Sequence, residues 1–365
     1  MRILYDHQIF SSQVYGGISR YFYELLSRLA ENPEMDLDLA LRFSNNSYLS
    51  GSSFANPGTF FKDKKFIGKT TLLDFLNGQK SREGLLKREY DVFHPTYYNP
   101  YFLKHIGGKP YVVTVYDMVH ELYPEIYPSS DRTREWKLQS LKNASKIIAI
   151  SENTRQDIIR IYGLDEQKVQ VIHLASSLQS LDSSVPAPLP GKYLLYVGQR
   201  VRYKNFSFFI RAVAPLMKQD SDLAIICAGG GGFSPEESAI FESFGIAGRV
   251  RQLSVPDETL IALYENARAL VFPSLYEGFG IPILEAFACG CPVVLAEASC
   301  FPEVAGDAAL YFDPRDEGSL RAVLVKVVGD ESLRADMRSR GFIRGRAFSW
   351  DKTASETKTV YESLL

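Results

Sequence analysis

The most informative part of the chain reads Tyr276-Glu277-Gly278-Phe279-Gly280-Ile281-Pro282-Ile283-Leu284-Glu285. It places two carboxylates eight residues apart around a Gly-rich turn. The apolar run directly before it, residues 269–273, predicts a short buried strand. Pro282 is expected at the first helical position, because the N–H that proline lacks would have no partner there. The sequence therefore predicts a strand, a turn and a helix, with Glu277 on the turn and Glu285 in the helix.

This predicted turn is suited to binding a phosphate. The peptide N–H groups of Phe279 to Ile283 are expected to be free at the start of the helix, where the helix dipole is positive. The two flanking carboxylates would suit sugar hydroxyls. A purely structural alternative stays open at this point. In that alternative Glu277 is only an acidic residue near a helix N-terminus, and Glu285 is a solvated side chain on the helix surface.

The composition is that of a two-domain globular protein. The chain has 365 residues, of which 45% are hydrophobic and 23% are charged, and domains commonly hold about 100 to 200 residues. The formal net charge of -2 provides no basic field that would attract nucleic acid. No apolar run approaches the length of a membrane span, and Met1–Asp6 lack the apolar segment of a signal peptide. We therefore expect a soluble, intracellular protein.

The cysteines indicate neither a zinc site nor a disulfide framework. None of them forms a Cys-x-x-Cys pair with a nearby histidine. Their placement favours buried thiols in a reducing cytoplasm. Because no other group of metal-ligating residues is evident, we expect neither a metal nor a cofactor. The four residues are Cys227, Cys289, Cys291 and Cys300.

Short apolar runs alternate with longer amphipathic segments, which predicts an α/β fold with parallel sheets and crossover helices. The segment Ser176–Lys192 is rich in Ser and Pro and predicts a linker. We place the boundary near residue 187, which gives domains of residues 1–186 and 187–349 and a terminal helix over 350–365. The predicted strands are Arg2 to Tyr5, Tyr111 to Tyr116, Lys146 to Ile150, Val169 to His173, Tyr193 to Val197, Leu223 to Cys227, Ala269 to Phe272 and Pro292 to Ala296.

Cationic side chains follow the first strand of the predicted second domain, in the run Gly198-Gln199-Arg200-Val201-Arg202-Tyr203-Lys204-Asn205. Ligands of open parallel sheets bind at the carboxyl edge, where this run is expected. Arginine can hold a diphosphate with its planar fork, and lysine adds a point charge. Taken alone, the run is explained equally well as surface charge.

Four further candidates lie in the predicted first domain. The pair Gly16-Gly17 precedes a helix predicted over residues 18–30, and paired glycines let the backbone approach a ligand closely, although such a pair is more often only a turn. Asp117 follows a buried strand and is the better site residue of its loop. His120 is either a catalytic imidazole or a helix-cap or surface histidine. His94 is predicted to end another short strand, and it either lines a site or packs in a loop.

The chain resembles the family 4 retaining glycosyltransferases of the GT-B fold, whose hallmark is two glutamates separated by seven residues, as Glu277 and Glu285 are. The resemblance covers both halves of the chain. It implies two Rossmann-like, doubly wound parallel-sheet domains facing a central cleft, with the terminal helix returning to the first domain. Its clearest parts are Ser274–Pro282, Glu285–Val294, Pro302–Val304 and Ala308–Pro314.

The resemblance also implies roles for individual residues. Relatives carry a Gly-x-Arg-x-x-x-Lys-Asn pattern that this chain matches, so Arg200 and Lys204 are expected on the donor diphosphate. Glu277 would hold hydroxyls of the transferred sugar, and Glu285 the ribose. The expected donor-binding residues are Gly16, Gly17, Arg200, Lys204, Gly278, Phe279, Gly280, Ile281 and Glu285, and the expected catalytic residues are Glu277, Asp117 and His120.

One position departs from the family pattern. Many relatives have His-Asp where this chain has Tyr116-Asp117, which removes any catalytic imidazole at position 116. His120, four residues further along the chain, is a candidate substitute. His94 is a candidate for the acceptor side of the implied site.

The implied activity is the metal-independent transfer of a sugar from a nucleoside diphosphate donor to an acceptor hydroxyl, with retention at the anomeric carbon. Retention without an enzymic nucleophile fits a front-face mechanism, in which the leaving phosphate accepts the proton of the acceptor. The runs Tyr15–Tyr21 and Tyr116–Met118 look similar to bacterial mannosyltransferases that build surface polysaccharide such as O-antigen from GDP-sugars. We therefore expect GDP-mannose or a GDP-deoxyhexose as donor, with a UDP-sugar as the alternative.

Other activities share parts of this pattern. A GT-B-fold epimerase would use a nucleotide sugar without an acceptor, and a non-catalytic module would bind the nucleotide sugar without turnover. A nicotinamide-dependent oxidoreductase is disfavoured because the Gly-x-Gly-x-x-Gly fingerprint is missing. Glycosyl transfer to a glycan or lipid-linked acceptor has the best support.

The segment Phe60–Lys69 interleaves aromatic and basic side chains. Lysine heads on lipid phosphates and phenylalanine rings in the interface would suit an anionic membrane surface. Enzymes of this resemblance commonly take lipid-linked acceptors, so we expect peripheral contact with the cytoplasmic face of the inner membrane. A solvated loop over a small core is the alternative.

Overall fold

The computed structural model describes residues 1–178, 189–254 and 256–365, and the chain divides into two compact units. The first unit comprises Met1–Leu174 and Trp350–Leu365, and the second comprises Ala175–Ser349. The boundary predicted at residue 187 lies outside the described residues. The structural division falls earlier, between Leu174 and Ala175.

The first unit is built on two three-stranded parallel sheets, with strand orders β2-β1-β3 and β4-β5-β6. A single parallel bridge between Phe93 and Tyr111 connects them. The strands are β1 (Arg2–Tyr5), β2 (Asp36–Leu39), β3 (Val92–His94), β4 (Val112–Val115), β5 (Lys146–Ala149) and β6 (Val169–Val171). The helices are α1 (Gln8–Ser12), α2 (Gly17–Ala30), α3 (Lys69–Lys87), α4 (Val119–Leu122), α5 (Thr133–Lys142) and α6 (Glu152–Tyr162).

The second unit contains one six-stranded parallel sheet of order β12-β11-β10-β7-β8-β9. The order reverses between β7 and β10, as in doubly wound dinucleotide-binding sheets. The strands are β7 (Lys192–Val197), β8 (Leu223–Ala228), β9 (Val250–Leu253), β10 (Ala269–Phe272), β11 (Val293–Ala296) and β12 (Ala309–Phe312). The helices are α7 (Phe206–Gln219), α8 (Pro235–Phe244), α9 (Asp257–Asn266), α10 (Ile281–Ala288), α11 (Phe301–Ala305), α12 (Glu317–Gly329) and α13 (Glu331–Gly345), and α14 (Trp350–Glu362) belongs to the first unit.

The predicted α/β class is confirmed, and the predicted strands all exist with ends that differ by up to two residues. Three strands absent from the prediction, β2, β9 and β12, lie at sheet edges. Polar residues interrupt the apolar runs of β2 and β9, whereas β12 is a short and wholly apolar run. Helix starts differ slightly from expectation. Helix α10 begins at Ile281 with Pro282 second, and α2 begins at Gly17 rather than Ile18.

The terminal helix α14 packs against α2 and closes a buried polar network in the first unit. The Tyr361 hydroxyl lies 2.7 Å from the Tyr5 hydroxyl and 2.6 Å from His94 Nδ1. His94 Nε2 lies 3.0 Å from Thr114 Oγ1 on the neighbouring strand. His94 has no solvent exposure. The suggestion that His94 lines the acceptor side of a site is therefore wrong, because helix α14 covers the imidazole.

The interior of both units contains further capped and buried groups. The Ser151 hydroxyl caps α6 by accepting the Thr154 N–H at 3.0 Å. The four cysteines are all buried and free, and burial raises the pKa of the Cys227 thiol to about 12. Across the part of the chain that the structure describes, no helix is both long and apolar enough to cross a membrane.

The buried His94 predicts a pH dependence of stability. Burial lowers the pKa of His94 to about 3, whereas a histidine in an unfolded chain titrates near about 6.5. Between these values the unfolded state binds a proton that the folded state does not, so stability is complete above pH 6.5 and falls as the pH falls. We expect His94 to lower the free energy of unfolding of the first unit by about 2 kcal/mol between pH 7 and pH 5.

Urea unfolding followed by near-ultraviolet circular dichroism at both pH values measures this loss. The His94→Asn variant should be less stable than the parent at pH 7 but should lose less stability on going to pH 5. Equal losses in the parent and the variant would show that another group is responsible.

Candidate active site

The loops that follow β7 and β10 meet where the strand order of the second sheet reverses. In doubly wound sheets, ligands bind in the crevice outside this point. The Leu275 N–H donates to the Tyr203 carbonyl at 2.8 Å and ties the two loops together. The structure thus brings together the two motifs singled out in the sequence, the cationic run after β7 and the Glu277 turn after β10.

Lys204 and Glu277 form an ion pair between these loops, from Lys204 Nζ to Glu277 Oε1. The two side chains are only 16% and 13% exposed, so water screens the pair weakly. The ammonium also lies 5.6 Å from the ring centroid of Phe272 and 5.4 Å from that of Tyr203. The site therefore holds a cation whose position is fixed in advance, with a carboxylate as its partner.

The backbone of Glu277 is held from the loop that follows β11. The Ser299 hydroxyl donates to the Glu277 carbonyl at 2.7 Å and accepts the Glu277 N–H at 3.2 Å. The Cys300 thiol donates to the same carbonyl at 3.3 Å. These contacts fix the backbone of Glu277. The position of its carboxylate is therefore determined by this backbone as well as by the ion pair with Lys204.

The start of α10 offers fewer peptide donors than the sequence indicated. Pro282 has no N–H, and the Ile283 N–H donates to the Gly280 carbonyl at 2.9 Å. Within the described residues, the N–H groups of Gly280 and Ile281 have no hydrogen-bond acceptor. Gly280 adopts a left-handed φ of 84°, and a Cβ there would lie 3.0 Å from Ile283 Cδ1, so glycine suits the turn. Of the free N–H groups expected across residues 279–283, two therefore remain, those of Gly280 and Ile281.

Glu285 is buried inside the second unit, and the structural alternative of a solvated surface residue is wrong. Only 8% of the residue is exposed, and its carboxylate accepts the Tyr264 hydroxyl at 2.8 Å. Burial and the neighbouring carboxylate raise the pKa of Tyr264 well above its ordinary value, so the phenol stays a donor. A buried carboxylate of this kind is a candidate hydrogen-bond acceptor for a ligand hydroxyl.

Arg200 makes several contacts within the second unit that the sequence did not indicate. Its Nε donates to Glu237 Oε1 at 2.7 Å, and its terminal nitrogens donate to the carbonyls of Gly229, Gly231 and Gly232 at 3.3, 2.9 and 2.8 Å. The side chain is only 4% exposed. Binding of Arg200 to a diphosphate stays a prediction, and it requires these contacts to be given up.

Arg200 instead orders the glycine loop that follows β8. Its guanidinium carbon lies 4.7 Å from the Phe233 ring centroid and 5.6 Å from that of Phe206. Gly230 has a φ of +73°, and a Cβ there would approach Arg200 Nη1 to 2.7 Å and the Gly198 carbonyl to 2.8 Å. The loop therefore lies directly against the turn after β7, at the carboxyl edge of the sheet.

The first unit places Asp117 and His120 around the start of α4. Asp117 Oδ1 accepts the Val119 N–H at 3.0 Å, and its side chain is 35% exposed. His120 stacks on Tyr127 with 3.9 Å between ring centroids, and its Nε2 lies 3.8 Å from Asp131 Oδ2. Burial, followed by the charge of Lys137, lowers the pKa of His120. The imidazole is therefore mostly neutral near pH 7.

Gly16 and Gly17 form the start of α2. Gly16 is extended and is the residue before the helix, and the Ser19 hydroxyl donates to its carbonyl at 3.0 Å. The Ser19 N–H donates to Gln13 Oε1 at 3.1 Å, so a side chain already uses one of the first donors. A Cβ at Gly17 would meet nothing within 4 Å, so crowding within the chain does not require glycine there.

Two polar features close to these residues were not identified from the sequence. The Ser274 hydroxyl, in the loop after β10, is buried without a hydrogen-bond partner among the described residues. Beneath Asp117, fully buried Lys137 pairs with Glu121 at 2.8 Å and donates to the Asp117 carbonyl at 2.9 Å. The burial of Lys137 could not be predicted, because the pattern of apolar residues along α5 does not mark position 137 as an interior one. Outside residues 179–188 and 255, no group of three or more His, Cys, Asp or Glu could hold a metal ion.

Solved structures share this fold across the whole chain. Sucrose-phosphate synthase from Thermosynechococcus elongatus matches 100% of this chain and 98% of its own, with a TM-score of 0.75 and 19% identity. Anabaena HepE in complex with UDP-glucose matches 100% of both chains, with a TM-score of 0.74 and 19% identity. Together with the two parallel-sheet units, these likenesses show the GT-B fold.

The sequence relatives narrow the class. Residues 15–177 match "Glycosyltransferase Family 4" and residues 179–344 match "Glycosyl transferases group 1". The chain is 32% identical to the O-antigen chain mannosyltransferase B of Escherichia coli, over 95% of this chain and 96% of that relative. It is 28% identical over 67% of its length to the serotype-specific mannosyltransferase WbdA of Escherichia coli, and this match covers 32% of that longer protein. The chain belongs to glycosyltransferase family 4.

The contacts of Arg200 and Lys204 predict different consequences of removing each cation. Arg200→Ala leaves Glu237 without its cationic partner and removes the contacts that hold the glycine loop, so we expect the unfolding free energy of the second unit to fall by about 3 kcal/mol. Lys204→Ala should weaken binding of a free nucleoside diphosphate by about tenfold or more, because the diphosphate loses a direct charge. Thermal denaturation without ligand and calorimetric titration with GDP and UDP measure both effects.

An Arg200→Ala variant that keeps the parental denaturation midpoint but loses diphosphate affinity like Lys204→Ala would show that Arg200 is a phosphate ligand. Arg202→Ala is the matched control, because that exposed cation lies on the same turn.

Proposed function

We propose that the chain is a retaining glycosyltransferase that moves mannose or a related hexose from a GDP donor to a glycan or lipid-linked acceptor in the synthesis of cell-surface polysaccharide. The observation that carries the proposal is the Lys204–Glu277 pair at the switch point of the second sheet. The choice of sugar is supported by the names of the relatives, two of which are mannosyltransferases of Escherichia coli.

The donor diphosphate is proposed to bind between Lys204 and the free N–H groups of Gly280 and Ile281. A diphosphate gains negative charge as the glycosidic bond breaks, and fixed positive groups stabilise that charge without reorganising. Glu277 already positions the Lys204 ammonium. Binding of the diphosphate would therefore either replace the Glu277 carboxylate as the partner of Lys204 or add a second anionic partner. We propose Glu277 as the group that holds hydroxyls of the transferred sugar and Glu285 as the group that holds the ribose.

The first unit is proposed to present the acceptor, with Asp117 and His120 beside the reacting hydroxyl. The lowered pKa of His120 keeps its imidazole neutral near pH 7, so the ring can accept a hydrogen bond from a neighbouring hydroxyl of the acceptor sugar. No enzymic nucleophile is invoked. In the proposed front-face reaction the bond from the anomeric carbon to the leaving phosphate breaks, the acceptor oxygen bonds to the same face, and the phosphate takes the acceptor proton.

Donor consumption and product identity separate this activity from its alternatives. With GDP-mannose and a mannose-terminated acceptor, transfer yields a longer glycan and GDP in equal amounts. An epimerase would convert the donor to an isomer without acceptor, and a binding module would shift the denaturation midpoint without consuming the donor. Product only from UDP-sugars would overturn the GDP assignment and keep glycosyl transfer.

Removing the charge of Glu277 is expected to abolish most transfer. Glu277→Gln keeps the shape of the side chain but loses the charge, so we expect kcat/KM to fall at least about 100-fold, which corresponds to about 3 kcal/mol of transition-state stabilisation. Affinity for the intact donor should fall more than affinity for free GDP. Radiolabelled transfer assays and calorimetry measure the two quantities.

Glu297→Gln is the matched control, since this exposed glutamate directly follows β11 in the same unit. If Glu277→Gln retained activity within about twofold of the parent, the role assigned to Glu277 would be untenable.

Peripheral contact with an anionic membrane is part of the proposal. Phe61 and Phe66 are about half exposed and Ile67 is fully exposed, beside the exposed lysines 62, 64 and 65. Lys69 behaves differently, because its Nζ donates to the carbonyls of Phe61 and Lys64 at 2.7 and 2.9 Å. Apolar tips next to cations match the interface of an anionic bilayer.

In a flotation assay with phosphatidylglycerol-containing vesicles, we expect the parent protein to be recovered in the floating vesicle fraction. The triple change Lys62→Ser, Lys64→Ser and Lys65→Ser should reduce recovery at least fivefold, because each basic residue near such a surface contributes about 1 kcal/mol. The control removes the same charge elsewhere in the first unit, through Lys87→Ser, Lys104→Ser and Lys142→Ser. Equal recovery of both triple variants would exclude this segment as the contact.

A further inference from the structure

The first unit contains a cavity of about 480 Å³ at the switch point of its own sheet. Strand order there is β2-β1-β3, and the residues that follow β1 and β3 line the cavity together with α3 and α5. This volume lies within the range of about 300 to 1,000 Å³ that small-ligand sites occupy. None of the residues already placed at the candidate active site lines it. Its main lining residues are His7, Gln8, Phe75, Tyr97, Tyr101 and Trp136.

The floor of the cavity is organised by one buried carboxylate. Asp6 has no exposure and accepts hydrogen bonds from Gln8 Nε2 at 2.7 Å, Thr96 Oγ1 at 2.7 Å and the Tyr101 hydroxyl at 3.1 Å. It also accepts the Thr96 N–H at 2.8 Å. These bonds join the ends of β1 and β3 and fix the directions of Gln8 and Tyr101. The lining is therefore set before any ligand arrives, which lowers the cost of binding.

The wall combines aromatic rings with hydrogen-bonding groups. Phe75 on α3 is 55% exposed although it borders the cavity, and Trp136 on α5 is half-buried. His7 sits between Ser81, 2.8 Å from its Nδ1, and Asp74, 3.3 Å from its Nε2. Rings present apolar faces, and the polar groups around them both donate and accept. A pyranose has the matching surface, with C–H groups on its faces and hydroxyls on its edge.

The charge of the lining argues for a neutral ligand. Asp74 and Arg82 supply one charge of each sign, and the cavity presents no group of cations such as a phosphate or nucleotide would require. Tyr97 connects the cavity to the proposed acceptor position. Its ring lies 4.6 Å from that of Tyr98, whose hydroxyl accepts the Tyr116 N–H at 3.1 Å, one residue before Asp117.

We propose that this cavity binds a non-reacting sugar unit of the glycan acceptor, while the terminal sugar of that glycan lies by Asp117. The inference rests on the proposed glycosyl transfer and adds a second acceptor subsite to it. The subsite selects acceptors that already carry at least two sugar units. The enzyme thereby extends an existing chain in preference to starting one.

Tryptophan fluorescence tests binding without any turnover. The chain has two tryptophans, and Trp350 is buried in α14, so the Trp350→Phe variant reports from Trp136 alone. Titration with mannose and with α-linked mannose oligosaccharides of two to four units is the measurement. We expect a saturable change in emission with the oligosaccharides and at least a tenfold weaker response to mannose. If Trp350→Phe does not fold, the difference between the parent and Trp136→Phe gives the same signal.

Kinetics with acceptors of different length provide the second readout. Phe75→Ser is expected to raise KM for a mannotetraose acceptor at least tenfold, to leave KM for the donor unchanged and to leave KM for a mannose monosaccharide acceptor within twofold of the parent. Leu86→Ser is the control, because Leu86 is a 61% exposed apolar residue on the same helix outside the cavity.

Two outcomes would overturn the subsite. One is an unchanged Trp136 emission at oligosaccharide concentrations that saturate transfer. The other is the same KM for the mannotetraose acceptor in Phe75→Ser and Leu86→Ser. Absence of transfer with every donor would refute the proposed function instead, and in that case the fluorescence titration alone decides whether the cavity binds glycan.

Discussion

Parallel strands end at the same edge of a sheet, and this constraint organises both units. Crossover helices must cover both faces, so the strand order reverses once and leaves a crevice that no helix fills. In the second sheet the crevice lies between β7 and β10 and receives Lys204 and Glu277. In the first it lies between β1 and β3, where Asp6 joins the two strand ends. In both units, charged side chains therefore lie at the crevice where the strand order reverses.

The two crevices differ in electrostatics. The crevice of the second unit holds a weakly screened ion pair and two peptide donors at the start of α10, which favours a charged ligand. The crevice of the first unit holds a carboxylate whose hydrogen bonds come from neutral groups, surrounded by aromatic rings. Burial of a charge without such partners costs several kcal/mol, so each arrangement requires the complete set of contacts. The proposed charged donor and the proposed neutral acceptor fit this difference.

Much of the fold could be predicted because most strands are buried on both faces and read as continuous apolar runs. The strand over Val293–Ala296 is of this kind. The edge strand over Asp36–Leu39 was not predicted, because its sequence alternates aspartate and leucine and contains no continuous apolar run. At the site, the turn and helix positions of Glu277 and Glu285 followed from local signals such as Gly280 and Pro282. The partners of Arg200 could not be predicted, since Glu237 and the glycine loop follow a different strand, and local sequence carries no information about that contact.

The position of helix α14 has a consequence for the order in which the molecule can be completed. Ribosomes release domains from the N-terminus onward, and most domains fold as units once they emerge. Here Tyr361 supplies the hydroxyl that bridges Tyr5 and His94 in the interior of the first unit. During translation this unit must wait, with part of its interior uncovered, until more than 170 intervening residues have been made. The portion that is synthesised first is therefore finished last, and a chaperone that shields the nascent surface would act on it for longest.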